Sequence, residues 1–131
     1  MNIPKELKYS KSHEYLKTEE NKTGVLGITA YAASELGDIV YIELPEIGAS
    51  FNAGDKFGVI ESVKSVSDLY VPCACKIVEV NPELNEHPEY VNQDPYGKGW
   101  MLKVEITANV TSSKDLISAE EYEKFVLAET H

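Results

Sequence analysis

A lysine between two strand-like segments is the residue best placed for chemistry in this chain. Val63 and Val66 bracket a two-residue tip, Lys64-Ser65, and strand-like alternation on both sides predicts a β-hairpin. Lys-Ser lacks the Asn-Gly chemistry of the commonest tight turns, so turn propensity alone does not account for the lysine. The lysine at the tip is therefore either a solvated surface charge or a residue placed there for a reason other than turn formation.

Two cysteines offer a second kind of chemistry. Cys73 and Cys75 are two positions apart, which separates their Cα atoms by about 6.6 Å in a strand and is at the edge of disulfide geometry. The chain contains no other cysteine, so the spacing of a zinc site is not met. We predict two small buried residues and keep a thiol redox enzyme with exposed, low-pKa thiols as the alternative.

The remaining candidate groups do not form a recognisable catalytic or metal site. His13, His87 and His131 are scattered without metal-ligand spacing, and we predict no metal site. His13 stands beside Glu14 and could contribute to a binding cleft, or it could be structural. The segment Gly97-Lys98-Gly99 lacks the spacing of a phosphate loop, so we predict that residues 94–100 form a turn that packs. No nucleophile triad or carboxylate pair can be argued from spacing.

Composition excludes several classes of partner. The chain has 131 residues, with 12 Lys plus Arg against 22 Asp plus Glu, for a net charge of −10. Nucleic acid and anionic membranes are therefore unfavourable partners. No apolar run approaches the ~20 residues that cross a bilayer, and residues 1–24 lack the apolar stretch of a secretory signal. We expect one soluble domain over residues 1–131, cytoplasmic if bacterial or in the mitochondrial matrix if a mature eukaryotic form.

The elements that must position the lysine are mostly strands. Residues 9–28 predict a hairpin with a polar turn that ends in glycine. Further strands are predicted over residues 39–44, 56–63, 66–71, 75–80 and 100–106, and residues 81–94 are predicted to form a loop.

Two helices are predicted from their end signals. Residues 30–36 contain good helix formers between Thr29, a suitable N-cap, and Gly37, a suitable C-terminal stop. Residues 118–129 begin with a capping box formed by Ser118 and Glu121. Ala119, Tyr122 and Val126 fall on one face of this second helix, which we predict to pack against the body of the protein.

Ordered motifs along nearly the whole chain carry a family resemblance. They are Ser12-His13-Glu14-Tyr15, Gly27-Ile28-Thr29, residues 36–45 (LGDIVYIELP), Glu61-Ser62-Val63-Lys64, Ser67-Asp68, Val78-Glu79-Val80-Asn81, residues 92–100 (NQDPYGKGW) and residues 120–125 (EEYEKF). From about residue 9 to residue 125 the sequence resembles the glycine cleavage system H proteins, a family of lipoyl carriers.

The resemblance implies a mostly β fold and a covalent cofactor. The fold is expected to be a flattened barrel or sandwich of two antiparallel sheets, the barrel-sandwich hybrid of lipoyl domains, with short flanking helices and a C-terminal helix. The family's modified lysine corresponds to Lys64, whose side-chain nitrogen would carry lipoic acid in an amide bond. Glu61 is a candidate for recognition by the enzyme that attaches the lipoyl group. Biotin carriage is less favoured, since biotin acceptors usually flank the lysine with methionines and here Val63 and Ser65 stand there.

The resemblance also implies the partners of the protein. They are a glycine decarboxylase that uses pyridoxal phosphate, an aminomethyltransferase that uses tetrahydrofolate, a dihydrolipoyl dehydrogenase, and a lipoate ligase or lipoyl transferase. The chain would shuttle the aminomethyl group of glycine among the first three without catalysing a reaction itself. The alternative is an H-like protein that donates lipoyl groups to other dehydrogenase complexes, which requires the same lysine.

The resemblance further implies a cleft for the loaded arm, which is the lipoyl-lysine side chain bearing the aminomethyl group. The loaded arm carries a protonated amine, and carboxylates at Glu14 and Asp68 would hold it by charge-assisted hydrogen bonds. Ser12 is a candidate hydrogen-bond partner in the same cleft. The alternative interpretation of each acidic residue is a solvated surface carboxylate.

Overall fold

Two antiparallel sheets form the framework of the protein. A computed structural model describes residues 3–19, 22–107 and 116–129 of the chain, and His131 lies outside these ranges. Within the described residues the strands are β1 (Lys8–Tyr9), β2 (Glu14–Glu19), β3 (Thr23–Ile28), β4 (Ile39–Glu43), β5 (Ser50–Phe51), β6 (Lys56–Ser62), β7 (Val66–Tyr70), β8 (Cys75–Val80) and β9 (Leu102–Ile106). One sheet has the order β1-β2-β3-β9-β8-β5 and the other has the order β4-β6-β7.

The core lies between the two sheets because the strands alternate in polarity. In β9, Leu102, Val104 and Ile106 are buried, whereas the residues between them are exposed. Ile60 of β6 and Leu69 of β7 face the same core from the three-stranded sheet. A period of two places one face of each strand in the core and the other in water. The predicted two-sheet sandwich is confirmed.

The helices begin and end where the local signals predict. Helix α1 (Ala30–Leu36) is capped by Thr29, whose hydroxyl accepts a hydrogen bond from the Ala32 N–H at 3.2 Å. Helix α3 (Ala119–Glu129) follows Ser118, whose hydroxyl accepts from the Glu121 N–H at 3.2 Å. Both predicted caps are confirmed.

Helix α3 packs on the six-stranded sheet through its predicted apolar face. Ala119, Tyr122 and Val126 are buried. The Tyr122 ring stacks on Tyr9 of the edge strand β1, with 4.7 Å between ring centroids. The backbone of Tyr9 also exchanges two hydrogen bonds with Ile117, at 2.9 and 2.8 Å, just before the helix.

No helix in the described part of the chain is long and apolar enough to cross a membrane.

The predicted loop over residues 81–94 is wrong in part. It contains a 3-10 helix (Pro82–Asn85) and a short helix α2 (Tyr90–Gln93). The Asn81 side chain caps the first of these by accepting from the Glu83 N–H at 3.1 Å. Leu84 and Val91 anchor the segment in the core. Two anchors among polar residues are too few to produce a helical period, and tertiary packing therefore determines the conformation.

Candidate functional site

The β6–β7 hairpin presents Lys64 to solvent. Glu61 pairs with Val66 across the hairpin, so the two central residues of the turn are Val63 and Lys64. Both are exposed. The predicted tip, Lys64-Ser65, is therefore wrong by one residue, while the predicted hairpin and the exposed lysine at its apex are confirmed.

Ser62 supplies the turn chemistry that the sequence around Lys64 otherwise lacks. Its hydroxyl accepts hydrogen bonds from the Lys64 N–H at 3.2 Å and the Ser65 N–H at 3.1 Å. Its own N–H donates to the Ser65 carbonyl at 2.8 Å. A serine hydroxyl that accepts from the backbone N–H groups two and three residues ahead stabilises a turn without Asn-Gly. This interaction explains why the tip is centred one residue earlier than predicted.

The end of α1 supports the hairpin from behind. The Val63 N–H donates to the Asp38 carbonyl at 3.0 Å. Gly37 has φ of +80°, and a Cβ built on it would lie 3.3 Å from Cε of Lys64. The aliphatic part of the lysine therefore lies against a residue that has no side chain, and glycine meets both the backbone and the space requirement.

A pocket of about 270 Å³ lies beside this hairpin, between α1, β7, the turn before β2 and the end of α3. Its apolar lining comprises Ile28, Ala32, Leu36, Ile60 and Leu69, and its carboxylates are Glu14, Glu35, Asp68 and Glu129. Ser12, Glu14 and Asp68, the three residues predicted for the arm cleft, all line it. An apolar wall with several carboxylates suits a ligand that has an aliphatic body and a cationic end.

Glu14 is a buried carboxylate held by hydrogen bonds. It is 2% exposed, so the alternative interpretation as a solvated surface acid is wrong. Its Oε1 accepts from the Ser10 hydroxyl at 2.7 Å and from the Ser12 hydroxyl, and its Oε2 accepts from the Tyr70 N–H at 3.4 Å. Burial raises the pKa of Glu14 above its ordinary 4.5, and these hydrogen bonds oppose the shift. Ser10 was not predicted, although Ser10, Ser12 and Glu14 share a spacing of two.

Asp68 differs from Glu14 in exposure. Its side chain is about half exposed, and its Oδ1 lies 3.1 Å from Nζ of Lys56 on the neighbouring strand. Solvent screens such a pair, so the lysine does not hold the carboxylate strongly. Asp68 therefore lines the pocket at a half-exposed position, where its carboxylate stays accessible to solvent.

His13 connects the pocket to helix α3. Its Nδ1 lies 2.7 Å from the Tyr122 hydroxyl, and its Nε2 lies 3.2 Å from Oε2 of Glu129. Burial lowers the pKa of His13, and the Glu129 carboxylate opposes this shift. A neutral ring that accepts from Tyr122 and donates to Glu129 satisfies both contacts. His13 thus lines the pocket and also fixes the wall that α3 contributes, and Glu129 was not predicted to take part.

Glu61, the candidate for enzyme recognition, lies on the outer face of the three-stranded sheet. It pairs with Tyr41 on one side and Val66 on the other, so the three side chains form a row across the sheet. Tyr41 and Val66 are exposed, as is Val63 at the tip. This row stands one residue from the turn that carries Lys64.

The two cysteines do not form an exposed redox pair. Cys73 and Cys75 are free thiols and both are buried, as predicted. The hydrogen bond with Cys73, together with burial, raises the pKa of the Cys75 thiol. A thiol redox enzyme needs accessible thiolates, and this geometry does not supply them.

Comparisons with known proteins agree with this arrangement. The glycine cleavage H-protein family model matches residues 7–129. A glycine cleavage system H protein of Carboxydothermus hydrogenoformans is 56% identical over 124 residues, which are 95% of this chain and 94% of that protein. One from a Geobacillus species is 53% identical over 126 residues, which are 96% of this chain and 98% of that protein.

The fold is also shared with a solved structure. A crystal structure of a glycine cleavage system H protein from Mycobacterium marinum superposes with a TM-score of 0.86 and 37% sequence identity, covering 93% of this chain and 97% of that one. The family match over nearly all of the chain, the sequence identities and the two-sheet fold lead to one conclusion. The chain belongs to the glycine cleavage H-protein family, the lipoyl carriers of the glycine cleavage system.

Proposed function

We propose that Lys64 bears the lipoyl group and that the protein carries the aminomethyl group of glycine on this arm. The partners are a glycine decarboxylase, an aminomethyltransferase and a dihydrolipoyl dehydrogenase. The observation that carries the proposal is the exposed Lys64 at a hairpin apex, next to a pocket lined by apolar side chains and carboxylates. The catalytic groups belong to the partners, and this chain is a non-catalytic component.

The residues around Lys64 fit the attachment of an acyl arm. Exposure at a turn lets an attaching enzyme surround the lysine, and Gly37 leaves room for the lysine stem. The amide-linked arm has a length on the order of 10–15 Å. Asp68 follows Lys64 by four positions, which is about 13 Å along an extended strand. The arm therefore spans the distance from the apex to the pocket, or the same distance outward into a partner.

Lipoate supplies a disulfide that accepts the aminomethyl group when it is bound to Lys64. In this proposal the apolar lining of the pocket excludes water from the loaded arm. Glu14 accepts a hydrogen bond from the arm's ammonium group, and Ser12 and Ser10 orient its carboxylate. Asp68 binds the same cation at the pocket mouth.

Docking to partners uses the surface around the apex. Glu61, with Tyr41 and Val66, forms the contact row for the enzyme that attaches the lipoyl group. The net charge of −10 favours partners whose docking faces are basic or neutral. The relatives named above are from bacteria, which supports a cytoplasmic location.

Site-specific lipoylation tests the proposal. The protein is incubated with a lipoate ligase, lipoate and ATP, and the product is examined by intact-mass spectrometry and peptide mapping. We expect one lipoyl group on the peptide that contains Lys64, and none in Lys64→Arg. Lys76→Arg removes an exposed lysine of β8 and serves as the matched control, which should be lipoylated like the unchanged protein. A lipoyl group at another lysine, or none at all, contradicts the proposal.

A second assay separates the shuttle from the alternative relay of lipoyl groups. Both roles need the same hairpin, and no feature of the structure favours the relay. The lipoylated protein should support exchange of carbon dioxide with the carboxyl group of glycine in the presence of glycine decarboxylase. Lipoylation at Lys64 without this exchange contradicts the role in glycine cleavage.

A further inference from the structure

Asn92 of α2 bridges the backbone on both sides of Asp38. Its Nδ2 donates to the Gly37 carbonyl at 2.8 Å, and its Oδ1 accepts from the Ile39 N–H at 2.9 Å. The two contacts use both functional groups of the amide and fix its orientation. Asn92 therefore sets the path of the chain where α1 ends and β4 begins.

The same three residues contact the lysine hairpin. The carbonyl of Asp38 accepts from the Val63 N–H, and Gly37 lies against the side chain of Lys64. Ile39 pairs with Ser62, whose hydroxyl stabilises the turn. Residues 37–39 thus contact the hairpin apex, and Asn92 in turn binds the backbone of Gly37 and Ile39.

The packing of residues 90–100 fixes the position of Asn92, which allows it to hold residues 37–39. Val91 is fully buried, which anchors α2 in the core. A Cβ on Gly99 would lie 2.7 Å from the Tyr90 carbonyl oxygen, so only glycine allows the following turn to pack against α2. The Gly99 N–H donates to the Asp94 carbonyl at 2.8 Å and closes the turn. The predicted packing role of this turn is confirmed, and its consequence is a fixed position for Asn92.

We propose that Asn92 is a positioning residue for Lys64. By holding residues 37–39, it keeps the hairpin apex in the geometry in which the lysine is presented to the lipoate-attaching enzyme. The inference rests on the proposed function of Lys64. Loss of the Asn92 bridge leaves the lysine exposed and chemically unchanged but makes its position variable, so the attaching enzyme must order the apex when it binds.

Steady-state kinetics of lipoylation measure how well the attaching enzyme binds the lysine hairpin, through KM for the protein substrate. The Asn92→Ala variant should raise KM for the protein substrate by about fivefold to thirtyfold, since one or two net hydrogen bonds are lost, and should leave kcat unchanged. Gln93→Ala, which removes an exposed amide from the same helix, is the matched control and should match the unchanged protein. Asn92→Asp keeps an acceptor for the Ile39 N–H but places a second acceptor against the Gly37 carbonyl, so it should not restore KM.

Amide hydrogen exchange tests whether Asn92 holds the hairpin apex, independently of lipoylation. Exchange of the Val63 amide should become at least about fivefold faster in both Asn92 variants. The Ile60 amide, in the central strand of the same sheet, reports general stability and should be unchanged.

Each outcome of these measurements decides the proposal. A raised KM with faster exchange at Val63 alone supports it. An unchanged KM or an unchanged Val63 exchange overturns it. An equal acceleration at Val63 and Ile60 overturns it too, because the residue would then only stabilise the whole fold. If the unchanged protein is not lipoylated at Lys64, the proposed function fails, and the exchange data still decide whether Asn92 holds the apex.

Discussion

Glu14 shows at the scale of a single residue how a buried carboxylate can oppose stability. Its carboxylate is buried among donors from Ser10, Ser12 and the Tyr70 backbone. Burial raises its pKa, so its ionised form is disfavoured in the folded protein relative to the unfolded chain. An arriving cation removes this penalty. In the proposed function, the free energy that folding loses at Glu14 becomes available to bind the loaded arm.

The Glu14→Gln variant should therefore change stability and binding in opposite directions. The stability contributed by the raised pKa is present below pH 4.5 and is lost as pH rises through the folded pKa. The uncharged variant does not lose it, so its stability relative to the unchanged protein should grow between pH 4 and pH 7.5 in urea denaturation. The lifetime of the loaded arm should shorten by about tenfold, because a charge-assisted hydrogen bond is lost.

Two comparisons make this prediction specific. Glu43→Gln removes an exposed carboxylate of β4 and should show neither effect. Asp68→Asn should shorten the arm lifetime less than Glu14→Gln does, since solvent and Lys56 already screen Asp68. A stability difference that does not vary with pH, or an unchanged arm lifetime in Glu14→Gln, would show that Glu14 has no such role.

The β6–β7 hairpin is the element that presents the lysine, and its turn depends on side-chain chemistry. Asn-Gly turns obtain their shape from residues that adopt positive φ. Here the hydroxyl of Ser62 accepts from two successive backbone N–H groups instead. The two turn positions are consequently free of glycine, and one of them is occupied by Lys64.

Replacement of Ser62 tests this dependence. Ser62→Ala should lower the free energy of unfolding by about 1 kcal/mol, because two backbone donors lose their acceptor at an exposed site where water partly replaces it. Urea denaturation measures the effect. Ser65→Ala is the control, because the contacts described for Ser65 in the turn are made by its backbone, and its stability should be within about 0.5 kcal/mol of the unchanged protein. Equal losses in the two variants would contradict the assignment.

At the scale of the whole molecule, one chain of contacts joins α3, the turn before β2 and α1. The Tyr122 hydroxyl lies 2.7 Å from Nδ1 of His13 and 2.8 Å from the Thr29 hydroxyl, and Thr29 caps α1. Each of these elements contributes a wall of the pocket beside the β6–β7 hairpin. The C-terminal helix is therefore part of the pocket structure as well as a cover for the edge strand.

Tyr122→Phe should reveal this connection. Removal of a fully buried hydroxyl leaves His13 and Thr29 each without one partner and should cost about 1–3 kcal/mol of unfolding free energy. Tyr41→Phe removes a hydroxyl from an exposed ring of β4 and should cost no more than about 0.5 kcal/mol. Chemical denaturation of the two variants checks this, and similar values for both would mean that the contacts of Tyr122 contribute little.

The sequence by itself determined the features that depend on near neighbours. Alternating polarity defined most strands, the Thr29 and Ser118 caps defined two helices, and ordered motifs identified the family. These features can be predicted because they depend on residues within one turn of helix or one strand of each other. The one-residue error at the hairpin tip is also local. The alternation of apolar residues does not record that the hydroxyl of Ser62 accepts hydrogen bonds from two backbone N–H groups and so sets the centre of the turn.

Only the tertiary structure decided which distant groups meet. The Tyr70 N–H reaches the Glu14 carboxylate across 56 positions, and Asn92 reaches Gly37 across 55 positions. Such contacts arise when two sheets and three helices pack, and no local pattern records them. Packing likewise buried Glu14, which turned one acidic residue of the sequence into a carboxylate of raised pKa, because the solvation of a charge depends on everything that surrounds it.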